Sequence, residues 1–374
     1  MRSARLLPFA LLLLLGCAGT DTAPEGTGGT AGAPDPGDGG TGGDGGTSGN
    51  GGTGSDPEPS PVDNLLYLGR FDDSNLNAVR LSWSGTGFAF RFVGTDARAT
   101  FSGGRYFTVV VDGNALPEPL EVADEVDAPF DLATDLPDGE HTIEVYRRTE
   151  ASNGPTVVSG VEVDGDPLSV PRATRQLEIV GDSWSTGEGV DSSAERCDVG
   201  AQNHFVTWGA IAARALDAEL STVAWGGKGL VGEPMLPLYD RVVGTEPDSA
   251  GTIQSADAVF VSLGANDFVG GELPDGFVAA YEALLEQIRL QHPNALIACI
   301  WPQLPDPGET SLARAAIDEA MAKRTAAGDS WVKGADLELD ELVDLACDNY
   351  HPGPETHAQM ADNTIAFLKA ELGW

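Results

Sequence analysis

The sequence predicts an all-β domain of sandwich or jelly-roll type, followed by an α/β domain built on a doubly wound parallel sheet of five strands. Three observations predict it. Residues 64–171 hold many short β-type runs separated by turn signals, and no helix-length apolar period interrupts them. From Arg175 onward, strand-like apolar runs alternate with helical ones, the pattern of a parallel sheet covered on both faces. From Ala18 to Val62 the chain is Gly, Thr, Asp, Pro and Ser with almost nothing apolar. Such a segment cannot bury enough surface to offset its ordering entropy, so residues 17–62 read as a flexible tether.

In the β domain, expected over 63–171, Gly87–Val93 alternates: Phe88, Phe90 and Phe92 share one face, and Ala89, Arg91 and Val93 the other. Tyr106–Val111 runs into Asp112-Gly113-Asn114, and His141–Tyr146 and Val157–Val163 flank Asn153-Gly154. The module has two readings, a carbohydrate-binding domain or a structural partner for the α/β domain. Alternating Phe is what a half-buried strand needs, which favours the structural or accessory reading.

In the α/β domain, expected over 172–374, strand-like runs are Leu177–Val180, Leu220–Ala224, Ala258–Leu263, Leu296–Trp301 and a weak one at Trp331–Val332. Helical runs are Phe205–Leu216, Phe277–Gln291, Ser311–Ala326 and Glu355–Leu372. The segments that leave the strands of such a sheet gather at its carboxyl edge, where open α/β folds place their ligands.

Residues 1–16 carry Arg2 and Arg5 and then an apolar run from Leu6 to Leu15, too short to span a bilayer and laid out as a secretory signal. Leu14-Leu15-Gly16-Cys17 resembles a bacterial lipoprotein signal. That resemblance implies cleavage before Cys17, lipidation of its thiol and anchoring in the cell envelope, at the outer membrane or cell surface. Ordinary signal cleavage beside an incidental cysteine is the alternative. Cys197, Cys299 and Cys347 remain, an odd number for an oxidising compartment. One disulfide, Cys197 with Cys347, and one buried thiol, Cys299 in an apolar strand, is the simplest account, although spacing does not fix connectivity.

The formal net charge of -37 repels nucleic acid and anionic membrane faces, so nucleic-acid and phosphate-binding partners are not expected.

Four segments converge at strand ends. Ser183 in Gly181-Asp182-Ser183 follows the first strand, Trp225-Gly226-Gly227-Lys228-Gly229 the second, and Gly264-Ala265-Asn266-Asp267 the third. Asp348-Asn349-Tyr350-His351-Pro352 precedes the last helix. Each has a plain structural reading alone: a Gly-rich-turn serine caps helices, Asn-Asp makes turns, and His351 is a loop histidine. Together they supply what a nucleophilic serine needs. His351 is the base and Asp348 its orienting carboxylate, while Ser183 N–H, Gly227 N–H and the Asn266 amide are the oxyanion donors. His204 is the fallback base; His141, His292 and His357 are less suited, lying in the β domain, after a long helix and inside the last helix.

These blocks, in this order, resemble those of the SGNH (GDSL-like) hydrolase superfamily over Arg175–Trp374. The resemblance implies a flavodoxin-like sheet, a Ser183–Asp348–His351 triad and an oxyanion hole from Ser183, Gly227 and Asn266. A narrower resemblance spans nearly all of the chain after the tether, to carbohydrate esterase family 2, a jelly roll fused to an SGNH domain. It is carried by Gly181–Val190, the Cys197–Asn203 loop, Ala224–Gly229, Leu68-Gly69-Arg70 and Val110–Gly113. It implies a serine esterase that removes O-acetyl groups from plant polysaccharides such as xylan and glucomannan, with no metal or organic cofactor. In that family the acidic triad member is sometimes replaced by a backbone carbonyl. Here Gly226 stands where a serine is common and Trp184 where an aliphatic residue is common. Trp184, Trp225 and Trp301 are candidates for stacking on sugar rings, with core packing as the alternative. Competing functions are a non-catalytic glycan-binding lipoprotein and an SGNH lipase or thioesterase.

Overall fold

The computed structural model describes residues 60–123, 126–193, 198–268, 271–304, 306–337, 339, 344–346 and 350–374. The leader, Cys17, the tether through residue 59, the Cys197–Cys347 pair and Asp348 lie outside the described residues.

The β domain is a sandwich of two antiparallel sheets. Its main strands are β1 (Leu66–Leu68), β2 (Val79–Leu81), β3 (Gly87–Gly94), β4 (Ala97–Ser102), β5 (Tyr106–Val111), β6 (Ala128–Ala133), β7 (Gly139–Arg147) and β8 (Thr156–Val163). One sheet runs β6–β4–β8–β2 and ends on Phe71–Asp72; the other centres on β3–β7–β5, with β1 also on β3. The expected alternation holds: Phe88, Phe90 and Phe92 are fully buried between the sheets with Phe101, Phe107, Ile143 and Val145. Ser60–Pro61, which composition places with the tether, pairs with Val163 and Glu162 of β8. Two short hydrogen-bonded residues therefore extend a sheet that the apolar pattern alone does not reach.

The second half is a five-stranded parallel sheet made of β9 (Arg175–Gly181), β10 (Ala218–Ala224), β11 (Ala258–Ser262), β12 (Leu296–Ile300) and β13 (Val332–Ala335). Its order, β10–β9–β11–β12–β13, is the doubly wound arrangement. Helices α1 (Ser183–Thr186), α2 (Trp208–Ala215), α3 (Phe277–Gln291), α4 (Pro307–Ala326) and α5 (Pro354–Leu372) accompany it. Alternate residues of each strand feed two cores. Val180, Val223, Val259, Val261 and Ile297 pack with α3 and α4, and Leu177, Ile179, Phe260 and Ala298 pack with α2 and α5. Burial on both faces is why these strands read as unbroken apolar runs. Cys299 is a buried free thiol in the first of these cores, as its apolar strand predicts.

The two halves share polar and apolar contacts along their boundary. Trp83 and Ala151 of the β domain belong to the same buried cluster as Val261 and Phe277 of the α/β half. Phe71 forms an antiparallel bridge with Thr252, and Trp83 Nε1 donates to the Arg241 carbonyl at 3.1 Å. At the centre, Arg70 pairs with Glu178 of β9 at 3.1 Å, and Tyr239, Ser221 and His292 also donate to the Glu178 carboxylate. Burial alone would raise the Glu178 carboxyl, but the Arg70 charge and these donors hold it down at about 2.

Candidate active site

Register brings the site together. Gly181 of β9 lies beside Ala224 of β10 and Ser262 of β11, so the next residues of all three strands leave from one edge. Asp182 caps α1 by accepting the Trp184 N–H at 3.1 Å, which turns the chain sharply and sets Ser183 at the first helical position. The last described segment before α5 carries His351 to the same place, with Ala346 N–H donating to the His351 carbonyl at 2.8 Å.

His351 Nε2 and Ser183 Oγ are 2.8 Å apart, although 168 residues separate them in sequence. The hydroxyl can donate to the imidazole at that distance, the geometry general-base activation requires. Ser183 is buried, and the His351 side chain keeps 12% exposure, so the pair meets solvent from the histidine side. The Glu188 carboxylate stands 3.8 Å from His351 Nε2.

The segment that carries Gly227, expected to supply an oxyanion donor, is a turn. Trp225–Lys228 closes with Lys228 N–H donating to the Trp225 carbonyl at 3.2 Å, and Gly227 takes φ 76° at its third position. A positive φ there marks a type II turn, which favours glycine. A Cβ on Gly227 would meet nothing within 4 Å, so the residue's conformation rather than its space demands glycine. The Asn266 amide donates to the Lys228 carbonyl at 2.9 Å and stands 3.4 Å from Asp182 Oδ2, bracketing the same turn.

Asp267 has a different task from its neighbour. Its carboxylate accepts the Leu230 and Val231 N–H groups at 2.8 and 2.9 Å, and a Cβ on Gly229 would come within 2.3 Å of it. Glycine at 229 is what lets that carboxylate approach the loop. Burial raises the Asp267 carboxyl despite these donors. Asp182 is buried against the site, and the loss of water pushes its carboxyl up to about 7, partly countered by the Trp184 N–H and the His351 charge.

A cavity of about 200 Å³ is lined by Asp182 and Trp184, the residues on either side of Ser183 in sequence, and by Ser262, Trp301, Gln303 and Met360 among others, but Ser183 and His351 do not line it. Trp184 and Trp301 thus border an open space, and the Trp184 Nε1–H is buried with no acceptor among the described residues. Trp301 Nε1 donates to Asp318 at 2.9 Å and its ring lies under Arg314. Trp225 instead packs edge-on to Trp83 at 6.2 Å, beside the core the two halves share.

The other histidines are elsewhere. His204, the fallback base, is buried and faces Thr222 Oγ1 at 2.9 Å; burial holds its imidazole at about 3, neutral, with Arg214 adding to the effect. His141 sits between Asp112 and the Pro137 carbonyl, His292 faces Glu178, and His357 accepts the Trp208 N–H. Asp348, the expected orienting carboxylate, is outside the described residues, and so is the Cys197–Cys347 pair. Among the described residues no group of three or more His, Cys, Asp or Glu side chains is arranged to hold a metal ion.

One residue near Ser183 comes from the β domain. Glu150 Oε2 accepts the Gly226 N–H at 2.7 Å, and a Cβ on Gly226 would lie 3.1 Å from it, 3.0 Å from Glu188 Oε2 and 3.7 Å from Ser183 Cβ. Nothing in the local pattern around Glu150 announces this; only the packing of the two halves does.

Comparison with known proteins shows the same division. Residues 67–171 match the carbohydrate esterase 2 N-terminal model and residues 179–359 the GDSL-like lipase/acylhydrolase family model. The solved family two carbohydrate esterase from Clostridium thermocellum, in complex with cellohexaose, is 30% identical with a TM-score of 0.76, and the match covers 83% of this chain and 100% of that one. The chain belongs to carbohydrate esterase family 2.

Two curated relatives of this family 2 chain are similar in sequence. The cellulase/esterase CelE of Acetivibrio thermocellus is 31% identical over 83% of this chain and 40% of its own length. An acetylxylan esterase / glucomannan deacetylase of Cellvibrio japonicus is 26% identical over 63% of this chain and 66% of its own. The chain therefore spans less than two thirds of either.

Proposed function

We propose that this chain is a serine esterase that removes O-acetyl groups from a polysaccharide. The single observation that carries the reading is the 2.8 Å approach of His351 Nε2 to Ser183 Oγ at the edge of the sheet. Ser183 attacks the acetyl carbonyl as His351 takes its proton. The negative oxygen is met by Ser183 N–H, Gly227 N–H and the Asn266 amide. His351 gives the proton to the departing sugar oxygen, leaving the acetyl group on Ser183; water, giving its proton to His351, then attacks that ester and acetate leaves as Ser183 regains the proton, with Asp348 in the orienting role.

The glycan part of the reading is supported by the relatives: one solved with cellohexaose bound, another named for acetylxylan and glucomannan. Trp184 and Trp301 border the cavity and fit a sugar-facing wall, which Trp225 does not line, while all three also pack against a buried core. The leader and Cys17 fit export and a lipid anchor in the cell envelope, checked by comparing labelled fatty-acid incorporation in wild type and Cys17→Ala.

The test is acetate release from acetylated xylan, glucomannan and cello-oligosaccharides, with chemically deacetylated controls, for the wild type and Ser183→Ala. The expected result is release by the wild type from at least one glycan and none above background from the variant. Full activity in Ser183→Ala, or a steep preference for long acyl chains over acetate, would overturn it.

A further inference from the structure

We propose that Glu150, a residue of the β domain, is a positioning residue for the oxyanion hole, so that the β domain completes the hydrolase site. This rests on the esterase reading above and names how that site is held.

Gly227 N–H can meet an oxyanion only if the peptide between Gly226 and Gly227 keeps one orientation. In a turn of this kind that peptide is the one that flips between type I and type II forms. Two glycines in succession leave the flip almost unopposed by side chains. The turn is pinned from both ends instead. Asn266 holds its far side through the Lys228 carbonyl, and Glu150 holds its near side through the Gly226 N–H at 2.7 Å, a charge-assisted bond of normal strong length.

Glu150 is itself fixed. Ser152 Oγ donates to its Oε1 at 2.5 Å, and its own N–H donates to Gln202 Oε1 at 3.1 Å. Arg147 Nη2 donates to its carbonyl at 2.8 Å. The next residue, Ala151, is fully buried in the core shared by both halves, so the short turn at Ala151–Asn153 cannot drift from the hydrolase. A negative charge near a developing oxyanion opposes catalysis, so the placement makes sense for the hydrogen bond that Glu150 accepts rather than for its charge. A glutamine, which also presents a side-chain carbonyl, should therefore do the same work, and an alanine should not.

The experiment compares full-length wild type, Glu150→Ala, Glu150→Gln and Ser183→Ala on p-nitrophenyl acetate, with melting temperatures and inhibition by methylboronic acid, whose tetrahedral serine adduct uses the oxyanion donors. Expected for Glu150→Ala is a kcat lower by about 10- to 100-fold with KM nearly unchanged, and boronate inhibition weakened in proportion. Glu150→Gln should recover most of both. A wild-type kcat in Glu150→Ala overturns the proposal, as does a kcat loss shared equally by the Gln variant, or boronate inhibition left at the wild-type level. Inactivity of the wild type, or activity in Ser183→Ala, instead removes the esterase reading and the proposal with it. An inactive Ser183→Ala beside a wild-type-like Glu150→Ala removes only the role of Glu150.

Discussion

Arg70 of the β domain and Glu178 of the first parallel strand form an ion pair at 3.1 Å in which neither side chain exceeds 1% exposure. Tyr239, Ser221 and His292 also donate to Glu178, and the Arg70 guanidinium lies 4.8 Å over the Tyr239 ring. Removing one partner leaves the other buried and uncompensated. Arg70→Ala is therefore expected to lower unfolding free energy by about 3–5 kcal/mol in chemical denaturation. A loss below about 1 kcal/mol would show that water reaches the cluster.

Asp182 should make the fold pH-dependent in the opposite sense to Glu178. Its folded carboxyl titrates at about 7 against an ordinary 3.8, because burial penalises the anion. Between those values the folded state binds more protons than the unfolded chain, so stability present below the lower value is lost as pH rises toward the upper one. Asp182→Asn keeps an acceptor for the Trp184 N–H and removes the ionisation. The variant should gain on the wild type from pH 4 to pH 8, approaching roughly 4 kcal/mol at most. Stability curves that stay parallel over that range would contradict the assignment. For Glu178, held at about 2, the sign reverses: its contribution is present above the ordinary carboxylate value and lost as pH falls through the folded one.

Gly227→Ala tests the oxyanion turn by conformation alone. With open space around the new methyl and φ at 76°, the expected cost is about 1 kcal/mol of stability. A fall in kcat of about tenfold or more should accompany it as the turn relaxes. Unaltered kcat with the stability loss would place the oxyanion elsewhere.

Cys299 should be chemically silent. Burial pushes its thiol up to about 12, with the Tyr281 hydroxyl lowering it in part. Peptide mapping after iodoacetamide at pH 8 should find Cys299 unmodified in the native protein and alkylated after denaturation. Labelling of the native protein at the denatured rate would mean the core opens.

Ser183, Gly227, Asn266 and His351 are legible because each comes after a strand or precedes a helix, and a parallel sheet has only one edge for such segments. The register that sets Gly181 beside Ala224 and Ser262 makes that edge real. Glu178 is hidden for the same reason the strand is visible: a single carboxylate within an apolar run looks like an outward-facing residue until the Arg70 opposite is known. Asp267 reads as a spare neighbour of Asn266, yet it holds the Leu230–Val231 backbone. Glu150 gives no sign, because its partner lies 76 residues away in the other half and the bond runs to a backbone group that no sequence pattern marks.

Trp83 and Ala151 close a core whose other members all come from the hydrolase half. Excising that half would strip an indole-sized plug from beside Trp225 and bare greasy surface to solvent. Such a fragment would be prone to aggregate. The sandwich and the sheet thus share one core at their seam.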